Sequence, residues 1–176
     1  MSDPGHDADL PRRIPDPGFA GDVGEVPAPL AEALAAYAAD PRGAYVRVLA
    51  ALQEARLLVP VVAILGEVEY DEAGLAHDKT SDMAAVLLTG NDGRLALLAF
   101  TGTGPLSAWD PEARPVPVPA RVAAQSALQD GAVALVVDVA GPATVVVEGE
   151  DLEALARGWR LALVGDRPAW IRPDPE

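Results

Sequence analysis

The stretch Thr101-Gly102-Thr103-Gly104-Pro105 has the residue types of a turn that binds an anion. It follows an apolar segment that predicts a strand, and a glycine-rich turn after a strand can present backbone N–H groups to a phosphate. The stretch lacks the Gly-Lys-Ser/Thr of a nucleotide-binding loop and the third glycine of a dinucleotide-binding turn. A tight turn that positions Trp109 explains the same residues without a ligand.

A second set of candidate residues is acidic. Glu67, Glu69 and Asp71 alternate along the chain, so they share one face if this segment is a strand. Glu72, His77 and Asp78 follow closely, and carboxylate oxygens are the ligands that Mg²⁺ and Ca²⁺ prefer. A solvated surface loop is the alternative, because acidic runs are frequent throughout this chain.

Nucleophilic catalysis has little support in the sequence. There is no cysteine and no Gly-x-Ser-x-Gly turn, and the two histidines are His6 and His77. Ser81 and Ser107 are typical of turns and caps, where a hydroxyl binds local backbone N–H groups. We therefore predict no catalytic residue, no bound metal and no cofactor, and we do not expect an enzyme.

Two aromatic side chains flank the glycine turn and define a candidate binding patch. Phe100 precedes the turn and Trp109 follows it, so the two rings could line a pocket or a groove for a partner. Ordinary core packing is the alternative for both rings. The candidate patch consists of Phe100, Thr101, Gly102, Gly104 and Trp109.

The turn is positioned by a predicted hairpin. Met83–Thr89 and Arg94–Phe100 are apolar strands, and Gly90-Asn91-Asp92-Gly93 between them is typical of a tight turn. A further apolar run, Leu57–Leu65, predicts a buried strand that lies at an edge or bulges at Pro60.

The remaining periodicities complete an α+β fold. The expected order is two helices, the strand Leu57–Leu65, the hairpin, a helix, a second hairpin and a last helix, with a further hairpin at the end. We expect a mixed α/β sandwich with one mixed sheet of about five strands and helices packed on it. The other segments expected to form helices are Leu30–Asp40, Pro41–Arg56 (capped by Asp40), Ala120–Asp130 and Asp151–Arg157, and the other strands are Ala132–Val139 and Thr144–Glu148. Asp110–Pro119 is expected to be an extended connection.

The domain is expected to span residues 30–176. Residues 1–29 contain six prolines with glycines and acids between them, and such a segment cannot offset its ordering entropy by burial. We therefore predict a disordered N-terminal tail.

The net charge of the chain restricts which kinds of partner it can bind. The 176 residues carry 27 acidic and 13 basic side chains, a formal net charge of −14. This charge repels phosphate backbones and anionic lipid, so we expect neither nucleic acid nor a membrane as a partner. No secretory signal is visible at the N-terminus, and the cytoplasm is the expected location.

A set of residues spread along the chain carries a family resemblance: Leu57–Val61, Asp82-Met83, Asp92-Gly93-Arg94, Ala99-Phe100-Thr101, Trp109, Ala113-Arg114-Pro115 and the apolar strand that ends at Asp138. Together they resemble the N-terminal domain of the SseB family, which is named for enhanced serine sensitivity. The resemblance covers about residues 34–157 and suits a single-domain member from a high-GC bacterium. It implies an α+β fold and brings no enzymatic activity, cofactor or catalytic residue.

The sequence thus favours a non-enzymatic domain that binds an unknown protein partner or self-associates through an exposed strand edge. The alternative is a small-ligand sensor or enzyme that uses the Thr101–Gly104 turn or the Glu67–Asp71 acids.

Overall fold

The structure is a computed structural model that describes residue 19 and residues 21–64, 69–70, 76–77, 82–164 and 167–173. The helices are α1 (Ala28–Ala39), α2 (Pro41–Gln53), α3 (Thr103–Trp109), α4 (Ala120–Gln129) and α5 (Gly149–Ala156). The strands are β1 (Arg56–Ile64), β2 (Glu69–Tyr70), β3 (Ala76–His77), β4 (Asp82–Ala85), β5 (Leu87–Thr89), β6 (Leu95–Ala99), β7 (Arg114–Pro119), β8 (Ala134–Val137), β9 (Val145–Glu148), β10 (Arg160–Val164) and β11 (Arg167–Ile171).

The predicted α+β class is confirmed, and the main strands form two joined sheets. The order β5-β6-β8-β9 forms a mixed sheet in which β6 and β8 are parallel. The order β4-β1-β7 forms an antiparallel sheet. A bridge between Leu58 of β1 and Phe100, just after β6, connects the two sheets.

Pro60 lies at the point where the two sheets separate. β1 is the central strand of its sheet, so the expected edge position is not observed. Val86 donates its N–H to the Pro60 carbonyl at 3.1 Å, but Pro60 has no N–H to donate in return. The Val86 carbonyl accepts a hydrogen bond from Leu98 of β6 instead, also at 3.1 Å. The proline therefore fits a central strand. The carbonyl that its N–H would have bound, that of Val86, is already bound by Leu98 at the point where β1 changes its neighbour.

β7 is an edge strand that is protected by its prolines. Leu58 donates its N–H to Phe100, away from β7, and its register partner in β7 is Pro117. In an antiparallel ladder the nitrogen of that partner also points outward, and Pro115 and Pro119 share its orientation. The segment expected to be a connection is therefore a strand whose outer edge lacks donors at three alternate positions.

Core side chains lie on both faces of the mixed sheet. Leu97 and Leu135 point into the larger cluster, which contains buried residues of α1, α2, α4 and α5. Leu98 points the other way, into a smaller cluster with Phe100 and with Leu106 of α3. The alternation of successive side chains along β6 places the Thr101 turn at the edge of both clusters.

The terminal hairpin β10–β11 is held by a shared carboxylate. Asp151 of α5 accepts hydrogen bonds from the Tyr45 hydroxyl at 3.1 Å and from the Trp170 indole N–H at 2.8 Å. Burial, followed by the charge of Asp151, raises the pKa of Tyr45, so its hydroxyl remains a donor at neutral pH. These bonds join α2, α5 and β11.

Candidate functional site

The ends of the parallel strands β6 and β8 bring Thr101 and Asp138 together. Asp138 accepts hydrogen bonds from the Thr101 backbone N–H at 2.8 Å and from the Thr101 hydroxyl at 2.6 Å. Thr101 is fully buried, and Asp138 is 3% exposed with a left-handed backbone (φ 55°). Aspartate tolerates this conformation better than most residues, so a strained position carries a buried acid.

Burial and hydrogen bonding act on the pKa of Asp138 in opposite directions. Burial raises the pKa of Asp138, and the hydrogen bonds from Thr101 partly offset that rise. Desolvation is the larger effect, because the two hydrogen bonds from Thr101 replace only part of the hydration that the carboxylate loses on burial. Since both carboxyl oxygens are bound by Thr101, the geometry is typical of a structural acid.

Arg56 extends this network toward the N-terminus. Its side chain is 5% exposed, and its guanidinium donates to both carboxylate oxygens of Asp22. It also donates to the Glu25 carbonyl at 2.9 Å and to the Thr101 carbonyl at 2.8 Å. The hydrogen bond from Arg56 holds the pKa of Asp22 at about 2. A buried cation is thereby matched by a carboxylate and two carbonyl groups.

The segment 21–25, which we call the strap, lies against the glycine turn. The Gly24 carbonyl accepts hydrogen bonds from the Thr103 backbone N–H at 2.8 Å and from the Thr103 hydroxyl at 3.3 Å. A Cβ atom at Gly102 would lie 2.9 Å from the Gly24 oxygen, so the close approach requires glycine. The N–H groups of Thr101 and Thr103, which the sequence suggested for an anion, bind Asp138 and Gly24.

The aromatic pair of the candidate patch lies mainly in the core. The rings of Phe100 and Trp109 have centroids 5.4 Å apart, and Phe100 is fully buried. Thr101 and Gly102 are also buried, whereas Gly104 is exposed and Trp109 is half-buried. The structure therefore brings the five residues of the candidate patch together, but only Gly104 and Trp109 offer surface.

The acidic candidates fall largely outside the described residues. Glu67, Asp71, Glu72 and Asp78 are not among them, and Glu69 and His77 are described only as parts of β2 and β3. Within the described ranges, no group of three His, Asp or Glu side chains has the arrangement of a metal site. The Glu67–Asp71 hypothesis thus stays a prediction.

An apolar groove of about 640 Å³ lies between the β4-β1-β7 sheet and α4. Its apolar floor contains Val59, Val61, Ala84, Ala85, Leu87, Val116 and Val118, and its polar wall contains Ser126, Gln129 and Asp130. Val59 and Val118 also contact the larger core cluster, so the groove continues the core to the surface. Val116 is 41% exposed there.

A family model places the chain among known proteins. Residues 30–154 match the model of the SseB protein N-terminal domain, well over half of the chain. The chain belongs to the SseB family. The expected resemblance is thus confirmed, and Arg56, Thr101, Asp138 and the groove lie inside the matched region. The strap lies before the SseB match begins.

The other comparisons add no relatives. No match was found among curated proteins or among solved structures. In the part of the chain that the structure describes, no helix combines the length and apolar character needed to span a bilayer.

Sequence reasoning missed the strap, Arg56 and the groove. Arg56 is the single charge at the head of an apolar run, which is a usable signal for a buried ion pair. Its partner Asp22 lies 34 residues earlier among many other acids, so nothing local indicates the pair. The groove depends on sheet order, which hydrophobic periodicity does not encode.

Proposed function

We propose that this SseB-family chain is a non-enzymatic interaction domain that binds an apolar segment of another protein in the groove beside α4. The observation that carries the proposal is the groove itself, where the valines of β1 and β7 continue the core to the surface. An exposed apolar concavity with a polar rim is typical of a protein contact surface.

The groove favours contact through side chains over strand addition. Strand addition at β7 needs outward N–H groups, and Pro115, Pro117 and Pro119 have none. At the β9 edge of the mixed sheet, the Tyr45 hydroxyl lies 3.4 Å from the Val146 carbonyl. A partner segment that lies across the valines avoids both obstacles.

The net charge of −14 supports a protein partner, which we place in the cytoplasm as part of the proposal, over nucleic acid or a lipid surface. Asp130 places one of these negative charges at the rim of the groove. An apolar segment flanked by basic residues therefore fits this surface best.

The test compares two exposed valines by affinity capture from a native lysate. Val116→Asp places a charge in the groove, and Val164→Asp places one at a 62% exposed position on β10, outside the groove. We expect the wild type and Val164→Asp to capture the same partner and Val116→Asp to lose it, with all three folded by circular dichroism. Equal capture by both variants would contradict the assignment of the groove.

A ligand screen tests the non-enzymatic part of the proposal. A nucleotide, amino acid or divalent metal at a hundred times its Kd adds about 2.7 kcal/mol to the free energy of unfolding. We expect no such rise in melting temperature with any of these compounds. A clear rise would favour a ligand sensor or enzyme.

A further inference from the structure

The strap binds the domain through polar groups rather than through apolar burial. Val23 at its centre is 76% exposed. Its contacts come from the Asp22 carboxylate and the carbonyl groups of Gly24 and Glu25. Lifting such a segment exposes little apolar surface, so the cost of local opening is mainly the loss of these hydrogen bonds.

We propose that the strap occupies a peptide-binding site centred on Arg56, and that an acidic segment of a partner protein binds there in its place. The site does not depend on the apolar groove. The strap is thus an internal competitor for the partner segment.

The contacts of the strap define what the site recognises. The Arg56 guanidinium donates two hydrogen bonds to the Asp22 carboxylate. Its NH2 group also donates to the backbone carbonyl of Glu25, three residues after the aspartate. The N–H and the hydroxyl of Thr103 both donate to the carbonyl of Gly24, which lies between these two residues. A ligand must therefore present an aspartate followed by two carbonyl groups, which a peptide offers and a free phosphate does not.

The receptor side of the site is held independently of the strap. The Thr101 carbonyl fixes the Arg56 guanidinium at 2.8 Å, and Asp138 fixes Thr101 from the opposite side. Neither contact involves residues 21–25. Arg56 therefore remains oriented after the strap leaves, and a preorganised guanidinium favours binding.

Gly24 provides a way to release the strap without altering Arg56 or Asp22. Its φ is +81°, and a Cβ atom there would lie 2.5 Å from the Cγ2 atom of Thr103. Gly24→Ala is thus disfavoured by both backbone strain and a clash. Gly93→Ala is the matched control, because Gly93 has a φ of +79° with nothing within 4 Å and lies in the hairpin turn.

The experiment titrates the full chain with a synthetic peptide of the sequence Gly-Asp-Val-Gly-Glu-Val, which copies residues 21–26. We expect Gly24→Ala to bind the peptide at least tenfold more tightly than the wild type or Gly93→Ala does. Releasing an internal competitor raises the fraction of open sites and lowers the apparent Kd by that fraction. A peptide with asparagine in place of its aspartate should bind at least tenfold more weakly.

Three results would overturn the proposal. They are equal peptide affinity of Gly24→Ala and the wild type, equal affinity of the aspartate and asparagine peptides, and binding of inorganic phosphate as tight as that of the peptide. If Gly24→Ala does not fold, Asp22→Asn replaces it, with the same expected gain and the same contrary outcomes. Val116→Asp should bind the peptide as the wild type does, so failure here and failure of the groove are separate results.

Discussion

The Thr101 hydroxyl donates a 2.6 Å hydrogen bond to one carboxyl oxygen of Asp138, while the backbone N–H of the same threonine donates to the other oxygen at 2.8 Å. The two residues follow the parallel strands β6 and β8 and are almost completely buried. Through this pair, the ends of two strands that are far apart in sequence are fixed at the turn that carries α3.

Thr101→Val should lower the free energy of unfolding by about 1–3 kcal/mol, because one buried carboxyl oxygen of Asp138 loses its donor while the shape of the side chain is kept. Urea denaturation measures the change. Thr89→Val on β5 is the control, since Thr89 is exposed and its replacement should change the value by less than about 0.5 kcal/mol. Equal stabilities of the two variants would contradict a structural role for the Thr101 hydroxyl.

Asp22 should make the protein sensitive to strong acid. Because Arg56 holds the folded-state pKa at about 2 against a usual 3.8, the ionised carboxylate stabilises the fold above pH 3.8. That stabilisation is lost as the pH falls from 3.8 toward 2. Asp22→Asn should lack this loss when urea denaturation is repeated across the window. Parallel curves for the wild type and the variant would argue against the pair.

Asp138 should show the opposite pH dependence. Burial raises its folded-state pKa above the usual 3.8, so its contribution to stability is fully present below pH 3.8 and declines as the pH rises through the folded pKa. Asp138→Asn removes the titration and tolerates the left-handed backbone. The stability advantage of the wild type over this variant should therefore be largest near pH 3.5 and shrink toward pH 7. If that advantage grew with pH, the fold would favour the ionised form of Asp138, which would contradict the raised pKa.

The prolines of β7 should prevent association through its edge. Replacing Pro115 and Pro117 by valine restores two outward N–H groups on an exposed strand, which favours pairing with a second chain. We expect the double variant to form dimers or larger species by size-exclusion chromatography with light scattering. Pro142→Val, in the turn before β9, is the control and should elute as the wild type does. A double variant identical to the wild type would contradict edge protection.

Phe100 should behave as a core residue and Trp109 as its partly exposed cover. Phe100 is fully buried, so Phe100→Ala should cost about 3–5 kcal/mol in urea denaturation. Trp109→Ala should cost clearly less, since Trp109 is half-buried. Equal costs would mean that the two rings are equally important to the core.

The parts of the fold that depend on local chemistry were predictable from the sequence. Asp40 caps α2 as expected, because its carboxylate accepts the Gly43 N–H at 3.0 Å. The hairpin of β5 and β6 forms around Gly90–Gly93, where Gly93 has a φ of +79°. In both cases the determining residues are neighbours in the chain.

The parts that depend on distant contacts were not predictable in this way. Periodicity gave no signal that β1 exchanges β6 for β4 at Pro60, since that exchange depends on Val86, which donates to Pro60 and accepts from Leu98. The segment 21–27, expected to belong to the disordered tail, contacts the domain because Arg56 binds Asp22. Residues 1–18 and 20 of that predicted tail lie outside the described part of the chain.

Two amide hydrogens three residues apart should exchange with solvent deuterium at very different rates. The Phe100 N–H binds the Leu58 carbonyl and the Thr103 N–H binds the Gly24 carbonyl, both at 2.8 Å. The first lies in the seam between the two sheets, so it exchanges only when the whole domain opens, whereas the second exchanges whenever residues 21–25 lift away. The two hydrogen bonds have equal lengths, yet the exchange rates of their amides should report two separate opening events, one global and one local.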